Sequence, residues 1–300
     1  MNFDFGVIVL VFQYEIHGNI ARVLGPGSGM DRGPSSGSDF MPAADNPATT
    51  VTSVVPDRGD KAPAPNPELL DDLVVANRIL FDQGVVDAFG HVSARHDKAP
   101  DRFLLARNMA PGQVTRADII EFDLDGNPID AAGRRVYLER FIHGEIYRVR
   151  PDVMAVIHNH SPTVVPFSIV PSQPFRPVCH MCGFIGAGAN NFEIREVAGD
   201  ASDLLIRSRE LGAALARTLG QGFITLMRGH GATIVAATVQ QVVYRAVYAE
   251  VNARLLADAL RLGPVTYLTE GEAATACANV ESQVQRPWNL WKARVAAELR

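Results

Sequence analysis

Residues 139–160 read Glu-Arg-Phe-Ile-His-Gly-Glu-Ile-Tyr-Arg-Val-Arg-Pro-Asp-Val-Met-Ala-Val-Ile-His-Asn-His. Ile142, Ile146 and Val149 recur at a spacing that predicts one face of a helix. The helix must stop before Pro151, because the proline ring disfavours helical geometry in the residue before it. Val153-Met154-Ala155-Val156-Ile157 then reads as a buried strand that runs directly into His158-Asn159-His160. Successive strand side chains point to opposite faces, so His158 and His160 present both imidazoles on one face at the strand's end. That geometry suits metal chelation. The structural alternative is a pair of core histidines held by backbone partners, since a buried polar group without a partner is costly.

Working outward, Asn66-Pro67 reads as a cap and first position of a helix carrying Leu69, Leu70, Leu73, Ala76, Ile79 and Leu80, with Gly84 ending it. Gly90-His91-Val92-Ser93-Ala94-Arg95 alternates as a strand, Phe103-Leu104-Leu105 reads as its neighbour, and a third short strand falls near 120–124 before an Asp125-Gly126 turn. On the other side, Phe223 to Met227 and Ala232 to Ala236 read as strands separated by Arg228-Gly229-His230-Gly231. A long helix follows, opened by a Thr238-x-x-Gln241 capping box and closed by Gly263-Pro264, with Val242, Val243, Ala246, Val247 and Leu255 among its apolar residues. Strands and helices mix without strict alternation, which predicts an α/β layered sandwich around a mainly antiparallel sheet.

The 300 residues, 47% hydrophobic and 20% charged, are enough to bury a substantial core. A formal net charge of −5 without Lys/Arg blocks leaves no electrostatic footprint for nucleic acid or an anionic membrane, so a small-molecule partner is expected. The apolar run Gly6 to Phe12 is far shorter than the roughly 20 residues that span a bilayer, and no basic region precedes it as in a signal peptide. Only Cys179, Cys182 and Cys277 are present, which suits a reducing cytoplasm and reads as buried, inert thiols. Residues 1–65, rich in Gly, Pro, Ser and Ala without apolar periodicity, read as a disordered extension. A catalytic domain is expected over 66–270 and a C-terminal segment, 271–300, packing on it or on a neighbouring copy through Trp288 and Trp291.

His230 lies between two glycines, where the backbone can approach closely and turn the imidazole toward a cleft. Three imidazoles with one carboxylate would suit Zn²⁺ or Mn²⁺, with Fe²⁺ a third option. Residues 68–270 resemble the class II aldolase/adducin family. Gly90 to Arg95 is similar to its G-[NH]-[VLI]-S-x-R segment, residues 139–157 to its helix and strand opened by a glutamate, and His158-x-His160 and Gly229-His230-Gly231 to its metal ligands. The resemblance implies a three-layer α/β/α sandwich, a homotetramer with active sites between subunits, and one divalent ion per subunit held by His158, His160, His230 and Glu139, the glutamate serving as ligand, acid/base group or both. His143, one turn after Glu139, is expected to support it.

The sugar-phosphate members build a phosphate pocket from an Asn in the G-N-x-S segment, a Ser/Thr-Gly pair and a Ser-Ser pair. Here those places hold His91, the segment Arg107 to Gly112, and Tyr137-Leu138. Bulk and aromatic surface replace the hydroxyls, which disfavours a phosphorylated sugar. A flat, anionic ring suits these residues better, with Arg107 and Arg176 forking onto carboxylates and His91, Ser93 and Tyr137 beside it. The resemblance is therefore closest to the branch that decarboxylates hydroxylated aromatic or pyridine dicarboxylates, with Glu139 or His180 protonating the ring carbon. Tyr267 is a candidate proton donor from a neighbouring subunit. Three readings compete: an aldolase on a hydroxy-keto or sugar-phosphate substrate, a non-haem iron oxygenase, and a non-catalytic adducin-like module.

Overall fold

The computed structural model describes residues 62–297; most of the extension expected over 1–65 lies outside the described residues. Its last four residues do not hang free. The Ala62 amide donates to Glu121, and Lys98 donates to the Ala64 carbonyl.

In chain order the elements are α1 (Pro67–Asp82), β1 (His91–Arg95), β2 (Arg102–Ala106), β3 (Ile119–Asp123), α2 (Arg140–Val149), β4 (Ala155–Asn159) and α3 (Val165–Ile169). There follow β5 (Asn190–Phe192), α4 (Arg195–Ala198), α5 (Arg209–Leu219), β6 (Ile224–Met227), β7 (Gly231–Ala236), α6 (Val239–Leu262), α7 (Glu270–Glu281) and α8 (Gln285–Ala297). The seven strands form one sheet in the order β3-β2-β1-β4-β7-β6-β5, and only β5 runs parallel to its neighbour.

The sheet lies between two helical layers. From β1, His91 and Ser93 meet α2, while Val92 and Ala94 point the opposite way, toward the face on which α1 packs. Helices α2 and α5 pack together on the first side, and α1, α6 and α8 on the second. This is the expected three-layer α/β/α sandwich around a mainly antiparallel sheet. Because both faces are covered, β1 and β4 are buried along their whole length, and the alternation in β1 separates buried polar from buried apolar residues rather than outside from inside. Arg95 at the end of β1 is buried, and its guanidinium donates to the carbonyls of Tyr147, Arg150, Val153 and Pro100. It ties β1 to the C-terminal end of α2 and the turn into β4.

Two side chains assigned to apolar faces are exposed. Val149 lies in the last turn of α2, beyond the sheet, and Leu255 faces away from the core on α6. The faces that do pack are Ile142, His143, Ile146 and Tyr147 on α2, and Val242, Val243, Ala246, Asn252 and Leu256 on α6. The Thr238 cap forms, its hydroxyl accepting from the Gln241 amide, but the Gln241 side chain takes the Ala237 amide instead of closing the box. The cysteines also differ from expectation. Cys182 is buried, but Cys179 is only half-buried; its Sγ lies 3.2 Å from that of Cys182, and this contact draws its pKa down to about 6. Among the described residues, no helix is long and apolar enough to cross a membrane.

Candidate functional site

Four side chains from separate parts of the chain converge. His158 is the penultimate residue of β4, His160 follows its end, Glu139 is the residue before α2, and His230 lies in the turn from β6 to β7. His158 Nε2 is 2.9 Å from His160 Nε2, and His230 Nε2 is 3.0 Å from the same atom. Glu139 Oε2 stands 3.4, 4.0 and 3.6 Å from the three nitrogens in chain order. The turn that carries His230 depends on its glycines. Gly229 adopts φ +65°, and a Cβ on Gly231 would come within 1.8 Å of the Asn159 carbonyl oxygen. Only glycine lets β7 approach the His-Asn-His segment closely enough to bring the third imidazole in.

The donor set fits a divalent cation. His158 Nδ1 faces the Ala232 carbonyl at 3.2 Å, a group that can only accept, so the ring proton sits there and the Nε2 lone pair points into the cluster. Burial holds His160 and His230 down at about 4, leaving both neutral near pH 7. Burial pushes the Glu139 carboxyl up, but His158, His230 and the Ile206 amide outweigh it and hold the group at about 2, so it is ionised. Three imidazoles and a carboxylate whose ligand atoms lie within 4.8 Å of one another are the hard-to-borderline set that Zn²⁺, Mn²⁺ or Fe²⁺ accepts. His160 is partly open to solvent, and the exposed Phe89 ring lies 6.2 Å from it.

His91 sits opposite His158 in the β1–β4 register, ring centroids 5.2 Å apart, with Tyr137 packed on it at 4.6 Å. The Tyr137 hydroxyl donates to the Met109 carbonyl at 2.5 Å, and burial pushes its pKa up to about 12. Ser93 points beneath His91 into the α2 layer.

Residues 71–257 match the family model described as Class II Aldolase and Adducin N-terminal domain. The chain belongs to this family. Among its relatives, the decarboxylase tropJ of Talaromyces stipitatus is 36% identical over 236 residues, covering 71% of this chain and 88% of that one. The 3,4-dihydroxyphthalate decarboxylase of Arthrobacter keyseri is 32% identical, with 61% and 75% covered. In fold, the class II chain is similar to the L-fuculose 1-phosphate aldolase from Glaciozyma antarctica PI12, at TM-score 0.64 and 21% identity over 79% of this chain and 96% of that one.

Within one chain of this family member, the structure brings together Glu139, His158, His160 and His230, with His91 and Tyr137 beside them; Ser93, expected at the substrate, is instead fully buried beneath His91 and bonded to His143 and Tyr147. Arg107, near enough to Tyr137 to act on its hydroxyl, is taken up by Asp118 at 2.7 Å. Other candidates lie elsewhere. Arg176 lies over the Tyr267 ring at 4.9 Å, and Tyr267 and the exposed His180 line a cavity of about 790 Å³ that includes none of the four ligands. His143 does not support Glu139 as expected; it bonds His91 and Ser93. A four-residue spacing shows that two helical residues share a face but not which neighbour that face meets. Sequence reasoning missed Phe89 and the Ile206 amide on Glu139. The first precedes a motif already quoted; the second is a backbone group from a distant loop and leaves no signal in residue types.

Proposed function

We propose that the protein is a metal-dependent carbon–carbon lyase that decarboxylates a hydroxy-substituted aromatic or heteroaromatic carboxylate. The observation that carries this reading is the cluster of three imidazoles and a carboxylate set beside the Phe89, His91 and Tyr137 rings, a surface suited to a flat substrate. The names and coverage of the two decarboxylase relatives support it. His158, His160, His230 and Glu139 would hold one divalent ion, Zn²⁺, Mn²⁺ or Fe²⁺. When bound, the ion supplies Lewis acidity toward a phenolic oxygen and the adjacent carboxylate, stabilising the negative charge that develops.

The reaction breaks the bond between ring and carboxyl carbons; CO₂ leaves, its bonding electron pair stays on the ring carbon, and a proton replaces it. The chain's own contribution is to hold the ligands in place, to stack the ring against Tyr137 and His91, and to deliver that proton. Glu139, ionised at rest, is the candidate carrier within the chain: it would first take the substrate's phenolic proton and then give it to the ring carbon. His180 and Tyr267 line a different cavity of their own subunit, so they would serve only across a subunit boundary, with Arg176 and Tyr267 contributed together. A homotetramer with active sites at its interfaces follows from this reading, as does a small anionic substrate met in the cytoplasm.

The test is elemental analysis of the purified protein beside a His158→Ala/His160→Ala variant. It is followed by CO₂ release from ortho-hydroxy aromatic dicarboxylates, 3,4-dihydroxyphthalate included, with each metal restored. Near-stoichiometric metal, lost in the variant, with metal-dependent CO₂ release is the expected result. Metal without CO₂ but with aldol cleavage products would transfer the function to the aldolase reading, and no metal would sink both.

A further inference from the structure

Beneath the ligand cluster runs a row of four buried polar side chains that the ligand set does not use. His91 Nδ1 lies 2.7 Å from His143 Nε2, His143 Nδ1 lies 2.6 Å from Ser93 Oγ, and Ser93 Oγ lies 2.8 Å from the Tyr147 hydroxyl. All four residues are 4% exposed or less. Each contact holds one proton, so the row has only two self-consistent directions. In one, Tyr147 donates to Ser93, Ser93 to His143 Nδ1, and His143 Nε2 to His91 Nδ1. In the other, every bond is reversed, and the Tyr147 O–H needs an acceptor beyond the row.

The surroundings select the first direction. Among the described residues the Tyr147 hydroxyl has one hydrogen-bond partner, Ser93 Oγ, and the group above its ring is the cationic Arg95, 4.8 Å from the centroid and itself only a donor. The reversed row would strand a hydroxyl proton at the closed end, an unsatisfied buried donor of the kind folded proteins avoid. In the first direction every buried donor is used, and the spare proton falls on His91 Nε2 at the open end. His91 makes its hydrogen bond through Nδ1, and its Nε2 is not among the sealed, unpartnered atoms of the described residues.

We propose that Tyr147, Ser93 and His143 are positioning residues that hold His91 in the tautomer protonated at Nε2. His91 is thereby a fixed, neutral N–H donor beside His158 that selects a substrate bearing a carboxylate oxygen next to the metal-bound group. This deepens the decarboxylase reading and rests on it for the substrate class. A His91 of the opposite tautomer would offer a lone pair there and repel the same oxygen. The row therefore acts on specificity without touching substrate.

The experiment uses the zinc-loaded full chain. Long-range ¹H–¹⁵N NMR of the ¹⁵N-histidine-labelled, unaltered protein, with signals assigned through His91→Gln and His143→Gln, is expected to show both rings protonated at Nε2. A His91 ring protonated at Nδ1 would overturn the proposal. Calorimetric titration with salicylate, against phenol as a probe lacking the carboxylate, gives the second arm. His91→Phe should weaken salicylate roughly tenfold to a hundredfold, the range of one hydrogen bond to a charged group, and leave phenol binding and zinc content unchanged. His91→Gln, which keeps an N–H, should recover most of the loss. Equal weakening of both probes, no weakening, or no salicylate binding by the unaltered protein would overturn the role assigned to His91. Correct tautomers and salicylate selectivity without CO₂ release from any substrate would instead overturn the decarboxylase reading alone.

Discussion

At the scale of single residues, function here depends on side chains too small or too buried to look functional. Gly231 is the sharpest case. A methyl group there meets the Asn159 carbonyl oxygen at 1.8 Å, a backbone atom in a paired strand that cannot swing aside. Gly231→Ala is expected to lose at least about 2 kcal/mol of stability and to displace His230, so bound metal should fall in proportion. Urea unfolding with parallel metal analysis checks this, and wild-type values in both would refute the steric account of the turn. The two paired strands place His91 across from His158, and α2 brings Glu139 and His143 to opposite jobs: one on the ligand cluster, the other on the hydrogen-bonded row below it. Residue type alone marked all of these histidines as candidates. Their division of labour needed coordinates, because it rests on which nitrogen faces which neighbour.

At the scale of elements, the C-terminal helices are part of the domain. Trp288 and Trp291 of α8 are buried, and α8 packs on α1 and α6. Trp288→Ala should cost about 3–5 kcal/mol, the usual loss for truncating a buried aromatic, and circular dichroism on heating should show it. A loss below about 1 kcal/mol would mean that α8 is only loosely held. The main strands and three longest-range helical assignments were legible because their apolar periodicity is strong and their caps carry turn chemistry, as at Asn66 and Thr238. Helix α5 also left a signal, with Ser208 capping and Leu211, Leu215 and Leu219 at intervals of four, that went unread. Strand β5 left almost none: three residues, two of them exposed asparagines.

At the scale of the molecule, the buried imidazoles link stability to pH. His143 is held by burial at about 3, against 6.5 for an accessible histidine. The unfolded chain therefore takes up a proton at a pH where the native one does not. The native state has its full stability above pH 6.5 and loses it as pH falls toward 3. In the metal-free protein His160 and His230, each near 4, act in the same direction. The thermal midpoint of chelator-treated protein should fall steadily between pH 6.5 and 4, and His143→Gln should reduce the slope of stability against pH by about one proton. A midpoint flat over that interval would contradict the burial of these rings as neutral groups.

By itself the sequence determined the layered α/β architecture, the family and the four side chains fit to hold a metal, because periodicity, caps and donor types are written in local residue order. Tertiary structure alone decided what surrounds those four. Pairing β1 with β4 set His91 beside His158, folding α2 onto the sheet turned His143 toward Ser93, and the cavity containing His180 and Tyr267 fell away from the cluster. These are contacts between residues distant in the chain, and their geometry depends on how layers pack rather than on any local pattern.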